Sequence, residues 1–168
     1  ASVSGAQPII AVDPVAAKRD VALELGATKA FEPNDAVELI KDFTSGGVDF
    51  AFEAAGIPSV LEAAFKATRR GGTTVAMGLP HPSKTISLPA LAFAGEGRTL
   101  IGSYMGSAAA QRDIPLLIRL WRAGRLPVEK LQTAVLGLEE VNEALENLAT
   151  GEAIRQILLP VRPRAHGP

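Results

Sequence analysis

The chain has 168 residues, enough for one domain or one domain with an appendage; 47% apolar and 21% charged residues are the usage of a folded protein, not a disordered one. Lys and Arg number 17 against 18 Asp and Glu, a net charge of −1 that gives no electrostatic case for nucleic acid. The absence of Cys excludes disulfides, a Cys nucleophile, thiolate zinc sites and iron–sulfur clusters within this chain. No run approaches the roughly 20 apolar residues that cross a bilayer, and Ala1 to Gln7 lacks the charged and apolar regions of a signal peptide. A cytoplasmic protein without membrane or nucleic-acid partners is expected.

The elements alternate along the chain. Ile9 to Val12 is a short apolar run of the kind buried on both faces of a sheet. Asp13 and Pro14 stop it, as N-cap and first helical residue of a helix from about Val15 to Leu25 that closes at Gly26. Thr28 to Phe31 predicts a second strand, Ala36 to Thr44 a helix and Val48 to Glu53 a third strand. The tight turn Ala54-Ala55-Gly56 leads to a helix from about Pro58 to Thr68. Gly71-Gly72 breaks that helix, with Arg69-Arg70 as its exposed end, and Thr73 to Gly78 is a fourth strand. Thr85 to Leu88 alternates like a strand with one exposed face, Leu91 to Ala94 is an apolar connector, and Thr99 to Ser103 is a further strand. A helix over Asp113 to Ala123, a strand over Leu131 to Leu136, a helix over Glu139 to Ala149 and a strand over Ile154 to Leu159 complete the order. Arg162 to Pro168 reads as a frayed tail.

Strands alternating with helices predict βαβ units and a parallel sheet covered by helices. Ligands in such sheets bind beyond the carboxyl ends of the strands, which singles out Asp13, Glu53 to Gly56, Gly78 to Pro80 and Ser103 to Met105. An acid at a strand end can accept hydrogen bonds from both ribose hydroxyls and repels a 2′-phosphate, which selects NAD over NADP. Asp13 has that place, and equally that of a plain helix N-cap; Lys18 lies one helical turn on. Such an acid belongs about 20 residues after a G-x-G-x-x-G loop, yet no such loop occurs, since Gly95-Glu96-Gly97 has Leu100 at the third glycine position. His81 in a proline turn and His166 in the tail read as solvated rather than as metal ligands.

Several runs in register resemble one family. They are Ile9-Ile10-Ala11-Val12-Asp13; Leu25-Gly26-Ala27-Thr28; Gly46-Gly47-Val48-Asp49-Phe50-Ala51-Phe52-Glu53-Ala54-Ala55-Gly56; and Gly71-Gly72-Thr73-Thr74-Val75-Ala76-Met77-Gly78-Leu79-Pro80. Arg98 to Gly106 and Gly151 to Leu158 continue the series. Across about residues 8–160 the chain resembles the zinc-containing alcohol dehydrogenases of the medium-chain dehydrogenase/reductase superfamily, nearest to their class III-like branch. The resemblance implies an α/β fold: a Rossmann-like doubly wound parallel sheet without its first strand and glycine loop in residues 1–104, and the returning tail of a GroES-like catalytic domain in residues 105–168.

It also implies roles. Asp13 and Lys18 would read the adenosine ribose, and Ala54 and Ala55 would pass the ribose and nicotinamide. Met77, Gly78 and Leu79 would meet the carboxamide through their backbone, and so would the Met105 N–H. Arg155 would pair with the pyrophosphate, where its planar fork suits phosphate; read alone it is a surface ion-pair residue. In that family the zinc ligands and proton relay lie upstream of the matching segment. The Thr-His pair often found near the C-terminus is here Thr133-Ala134. The chain is therefore expected to be a C-terminal, NAD-binding fragment of a zinc-dependent alcohol or aldehyde oxidoreductase, inactive alone, with no catalytic or metal residue of its own.

A zinc-free quinone-reductase-like relative is the second reading, disfavoured by Asp13. A non-catalytic nucleotide-binding or oligomerisation module is the third. A homodimer or homotetramer joined through Thr85 to Leu88 is expected. Weak or no NAD binding is expected of the chain alone, since a glycine loop and helix N-terminus normally carry phosphate affinity. In the doubly wound order 3-2-1-4-5-6, Ile9 to Val12 and Val48 to Glu53 would both flank the missing strand. A dry, empty slot there would cost about 1–3 kcal/mol per unpaired group. Sliding of one strand against the other, donation of a strand by a second copy, or additional chain outside this sequence is expected instead.

Overall fold

The computed structural model describes residues 1–151 and 153–160; the tail from Arg162, with His166, lies outside them. Two compact units make up the chain: Ala1–Ala30 with Ile114–Pro168, and Phe31–Asp113. Among the described residues no helix is long and apolar enough to cross a membrane.

The second unit is built on a parallel three-stranded sheet, β3 (Val48–Glu53), β4 (Thr68–Ala76) and β5 (Thr99–Gly102), in that order. Helices α2 (Ala36–Thr44), α3 (Pro58–Ala67) and α4 (Ala90–Ala94) belong to the same unit. The register Ala51–Thr74–Leu100 puts these three residues on one face. Thr74 is fully buried there and bonds Thr68, which donates to the Ala64 carbonyl of α3. The opposite face carries Phe50, Phe52 and Ile101, exposed at 62, 59 and 47%.

Phe65 of α3 is 1% exposed and anchors the covered side. Its ring stands 5.3 Å from that of Phe93 and 5.6 Å from the Arg98 guanidinium, and its carbonyl accepts from Arg98 at 2.8 Å. The buried hydroxyl pair makes an asymmetric prediction. Thr68 serves both Ala64 O and Thr74 Oγ1, at 2.9 and 2.8 Å. Thr68→Val strands the Thr74 hydroxyl and should cost about 2 kcal/mol, whereas Thr74→Val leaves the Thr68 donation intact and should cost about half that. Urea midpoints of the two variants measure the difference, and equal losses would refute the shared-hydroxyl account.

The other unit contains β1 (Ile10–Val12), β2 up to Ala30 of its span Lys29–Phe31, and α1 (Ala16–Glu24). It also holds α5 (Ala110–Arg122) from Ile114 on, β6 (Gln132–Gly137), α6 (Val141–Ala149) and β7 (Arg155–Leu159). β1 pairs with β2, and β6 runs parallel to β7 with a bulge between Gln132 and Ala134. Thr133 Oγ1 fills the bulge by accepting the Ile154 and Arg155 N–H groups at 2.9 and 3.3 Å. α1 ends as expected, Gly26 at φ 103 allowing the Ala27 N–H to close on Ala22 O at 2.9 Å.

Three expectations need correction, and one alternative of a fourth drops out. Asp13 does not cap α1. Val15 takes the N-cap position, and Asp13 Oδ1 instead accepts the Val15 N–H at 2.8 Å in an Asx turn two residues earlier. Arg69-Arg70 does not end a helix but lies inside β4, which starts at Thr68 and bulges opposite Asp49. Arg69 pairs there with the Asp49 carboxylate at 2.6 Å, both side chains half exposed or more. Thr85 to Leu88 forms no strand and joins no sheet among the described residues; Glu62 Oε1 accepts the Ser87 N–H at 2.7 Å. Of the three outcomes expected at the missing strand, sliding is not the one seen: among the described residues β1 pairs with β2 and β3 with β4, not with each other. Asp49, Phe50 and Phe52 of β3 are exposed.

Candidate functional site

Parallel pairing puts the carboxyl ends of β3, β4 and β5 at one edge, and the register Glu53–Ala76–Gly102 aligns them. The ladder runs one step further: Glu53 O accepts the Met77 and Gly78 N–H groups at 2.8 and 3.1 Å, and Ala76 O accepts the Ser103 N–H at 2.9 Å. The three connections beyond that edge are Ala54-Ala55-Gly56, Met77-Gly78-Leu79 and Ser103 to Met105. Six residues singled out from the sequence, Ala54, Ala55, Met77, Gly78, Leu79 and Met105, are thus brought to one edge of one unit. All but the partly buried Gly78 are exposed.

The first two connections touch through their glycines. A β-carbon on Gly78 would stand 2.1 Å from Gly56 N and 2.5 Å from Gly56 Cα. One on Gly56, at φ 69, would meet the Leu79 backbone at 3.0 Å. Such distances leave room for hydrogen alone, so the two glycines let backbone approach backbone. Glu53, 3% exposed, sits behind this contact and accepts the Gly56 N–H on Oε1 at 2.7 Å. In the third connection Met105, Gly106 and Ser107 take φ 50, 69 and 51 in succession. Two non-glycine residues in the left-handed region cost energy, of order 1 kcal/mol or more each. The turn holds Met105 outward at 80% exposure, with Ser103 Oγ 3.1 Å from Ser107 Oγ across its base.

Asp13, Lys18 and Arg155 belong to the other unit. Asp13 directly follows β1; with Oδ1 on Val15 N, its main-chain oxygen takes the Arg19 guanidinium at 2.8 Å. Lys18 lies on α1, its Nζ 3.5 Å from where a β-carbon of Gly151 would be, which sets it against the turn between α6 and β7. Arg155 opens β7 and is exposed. Lys18 and the chain entering β7 therefore lie together.

A dinucleotide needs close backbone approach, an acid at a strand end and a cation for phosphate. Each unit carries part of that chemistry by itself: the Gly56–Gly78 contact in one, and Asp13 with the Lys18 and Arg155 cations in the other. The residues do not fit zinc. The chain has no Cys, and among the described residues no group of three or more His, Asp or Glu could hold a metal ion. His81 is exposed, its Nδ1 2.8 Å from Ser83 Oγ, on the rim of an open hollow of about 540 Å³ that reaches Gly56 and Lys84. Sequence reasoning gave Glu53 no role of its own; the signal was an acid closing the otherwise apolar run Phe50-Ala51-Phe52.

The sequence profile of the zinc-binding dehydrogenases matches residues 1–122. An NDMA-dependent alcohol dehydrogenase of Amycolatopsis methanolica is 40% identical over 161 residues, covering 93% of this chain and 43% of its own. A geraniol dehydrogenase of Castellaniella defragrans is 36% identical, over 92% of this chain and 42% of its own. The chain thus spans under half the length of these relatives. The crystal structure of benzyl alcohol dehydrogenase from Acinetobacter calcoaceticus superposes with TM-score 0.89 at 32% identity, covering 94% of this chain and 44% of that one. The fold is accordingly the Rossmann-like α/β fold of such dehydrogenases.

Proposed function

Since the chain belongs to the zinc-binding dehydrogenase family, we propose that it is the NAD-binding, C-terminal part of an oxidoreductase that moves hydride between a small alcohol and its aldehyde or ketone. The observation that carries this reading is the Gly56–Gly78 contact, which brings two strand-end turns together where an open α/β sheet receives its ligand. Bound NAD would supply the hydride acceptor. Ala54, Ala55, Met77, Gly78, Leu79 and the Met105 N–H would orient its nicotinamide end by main-chain contacts. Asp13 would accept the ribose hydroxyls, Lys18 would lie beside them, and Arg155 would grip the pyrophosphate. In this reading residues 1–104 belong to the dinucleotide domain and residues 105–168 to the returning catalytic segment. The whole protein would work in the cytoplasm as a homodimer or homotetramer, pairing through Thr85 to Leu88. Zinc would be held elsewhere, so no step here runs through it.

Asp13→Asn tests the cofactor half. The amide oxygen can still accept the Val15 N–H, so the turn persists while the charge is lost. The ratio of NAD to NADP efficiency of the whole protein should fall about 10- to 100-fold, the equivalent of one charged hydrogen bond. An unchanged ratio would leave Asp13 with only its turn.

A further inference from the structure

We infer that Glu53 is a positioning residue: it locks the Ala54 to Gly56 turn onto the Met77 to Leu79 turn and so sets the main-chain groups that are to meet the nicotinamide. The inference rests on the cofactor reading above. Glu53 serves both turns at once. Its carboxylate takes the Gly56 N–H at 2.7 Å, and its main-chain oxygen takes the Met77 and Gly78 N–H groups at 2.8 and 3.1 Å. Oε2 lies 2.9 Å from where a β-carbon of Gly78 would stand, so the carboxylate occupies the space between the turns.

A buried carboxylate is a poor choice for filling space. Removing it from water is costly, and an aliphatic side chain would fill the same volume without that cost. What the carboxylate adds is direction, because a charge-assisted bond to one amide fixes the turn that carries it. Asp49, in the same strand, is exposed and pairs with Arg69 instead, so acidity alone does not distinguish Glu53. Gly56 and Gly78 have no side chains of their own to hold the contact, and Glu53 supplies the hold.

The test uses the whole protein, with NAD as probe, in the wild type, Glu53→Gln and Glu53→Ala. Calorimetry gives the Kd for NAD, and hydrogen exchange follows the Gly56 amide against that of Val75 in the middle of β4. Glu53→Ala should weaken NAD binding about tenfold and speed Gly56 exchange by a similar factor, with Val75 unchanged. Glu53→Gln, which keeps an acceptor for the Gly56 N–H, should recover most of the affinity; a purely structural defect would give no such graded rescue. Equal Kd values in all three proteins overturn the inference while leaving the cofactor reading intact. A wild type that binds no NAD overturns the cofactor reading and this inference together. Should Glu53→Ala not fold, Glu53→Gln decides: a Kd raised about threefold at an unchanged unfolding midpoint supports the role, and an unchanged Kd refutes it.

Discussion

Replacing Phe65 by Ala should lower the stability of the β3–β4–β5 unit by about 4 kcal/mol, the upper range for truncating a buried aromatic. The side chain is 1% exposed, so nearly its whole apolar surface counts. Two further contacts go with the ring: the tilted packing on Phe93 at 5.3 Å, and the Arg98 guanidinium held 5.6 Å from its centre. Arg98, 14% exposed at the side chain, keeps Glu96 at 2.6 Å and the residue 65 carbonyl at 2.8 Å, so its charge stays compensated. That separates the packing loss from an electrostatic one. Phe65→Leu, closer in volume, should cost roughly 1.5 kcal/mol. Urea unfolding with an unchanged slope gives both values; a loss under about 1 kcal/mol for Phe65→Ala would mean that α3 and α4 refill the space.

Gly78→Ala should cost about 3 kcal/mol and abolish whatever ligand binding the strand-end edge supports. The added carbon would lie 2.1 Å from Gly56 N and 2.9 Å from Glu53 Oε2. The first of these atoms is backbone in a turn already at φ 69, so relief requires the two connections to move apart. Gly102→Ala is the matched control. It ends β5 at the same edge, has no positive φ, and a β-carbon there meets nothing within 4 Å. That substitution should be neutral or stabilising by about 0.5 kcal/mol through the unfolded chain. Similar midpoints for the two variants would refute the close-contact account of Gly78.

The alternation of elements was legible because it rests on local signals. Ala36 to Thr44 was read to the residue from an apolar face closed by Ser45-Gly46-Gly47, and Val48 to Glu53 from a β-rich run between glycines. What escaped depends on partners. The start of β4 at Thr68 was hidden because Arg69 to Gly72 carries helix-end and breaker residues, while the strand there is held by pairing of Val48 with Thr68 and by the Arg69–Asp49 ion pair. Alternation in Thr85 to Leu88 reads as a strand but cannot supply the neighbour that a strand needs. Asp13 followed by Pro14 reads as a cap, but α1 starts one residue after Val15, which leaves Asp13 to an Asx turn instead. At the site the glycines were visible as glycines. That Gly56 and Gly78 meet each other, with Glu53 between their turns, is a tertiary fact that spacing does not encode.

The exposed aromatic side chains of β3 govern how this chain behaves among other molecules. Phe50 and Phe52 stand exposed on β3, a strand bonded on one side only among the described residues, and Ile101 is exposed on β5 beyond the buried Val75. An open hydrogen-bonding edge beside exposed aromatic side chains is a template for cross-strand self-association. With a net charge of only −1, little long-range repulsion keeps copies apart. Handled as a separate polypeptide, the chain should therefore light up hydrophobic dyes while still folded and lose solubility with concentration and added salt long before it loses structure, so that colloidal stability rather than conformational stability limits its use.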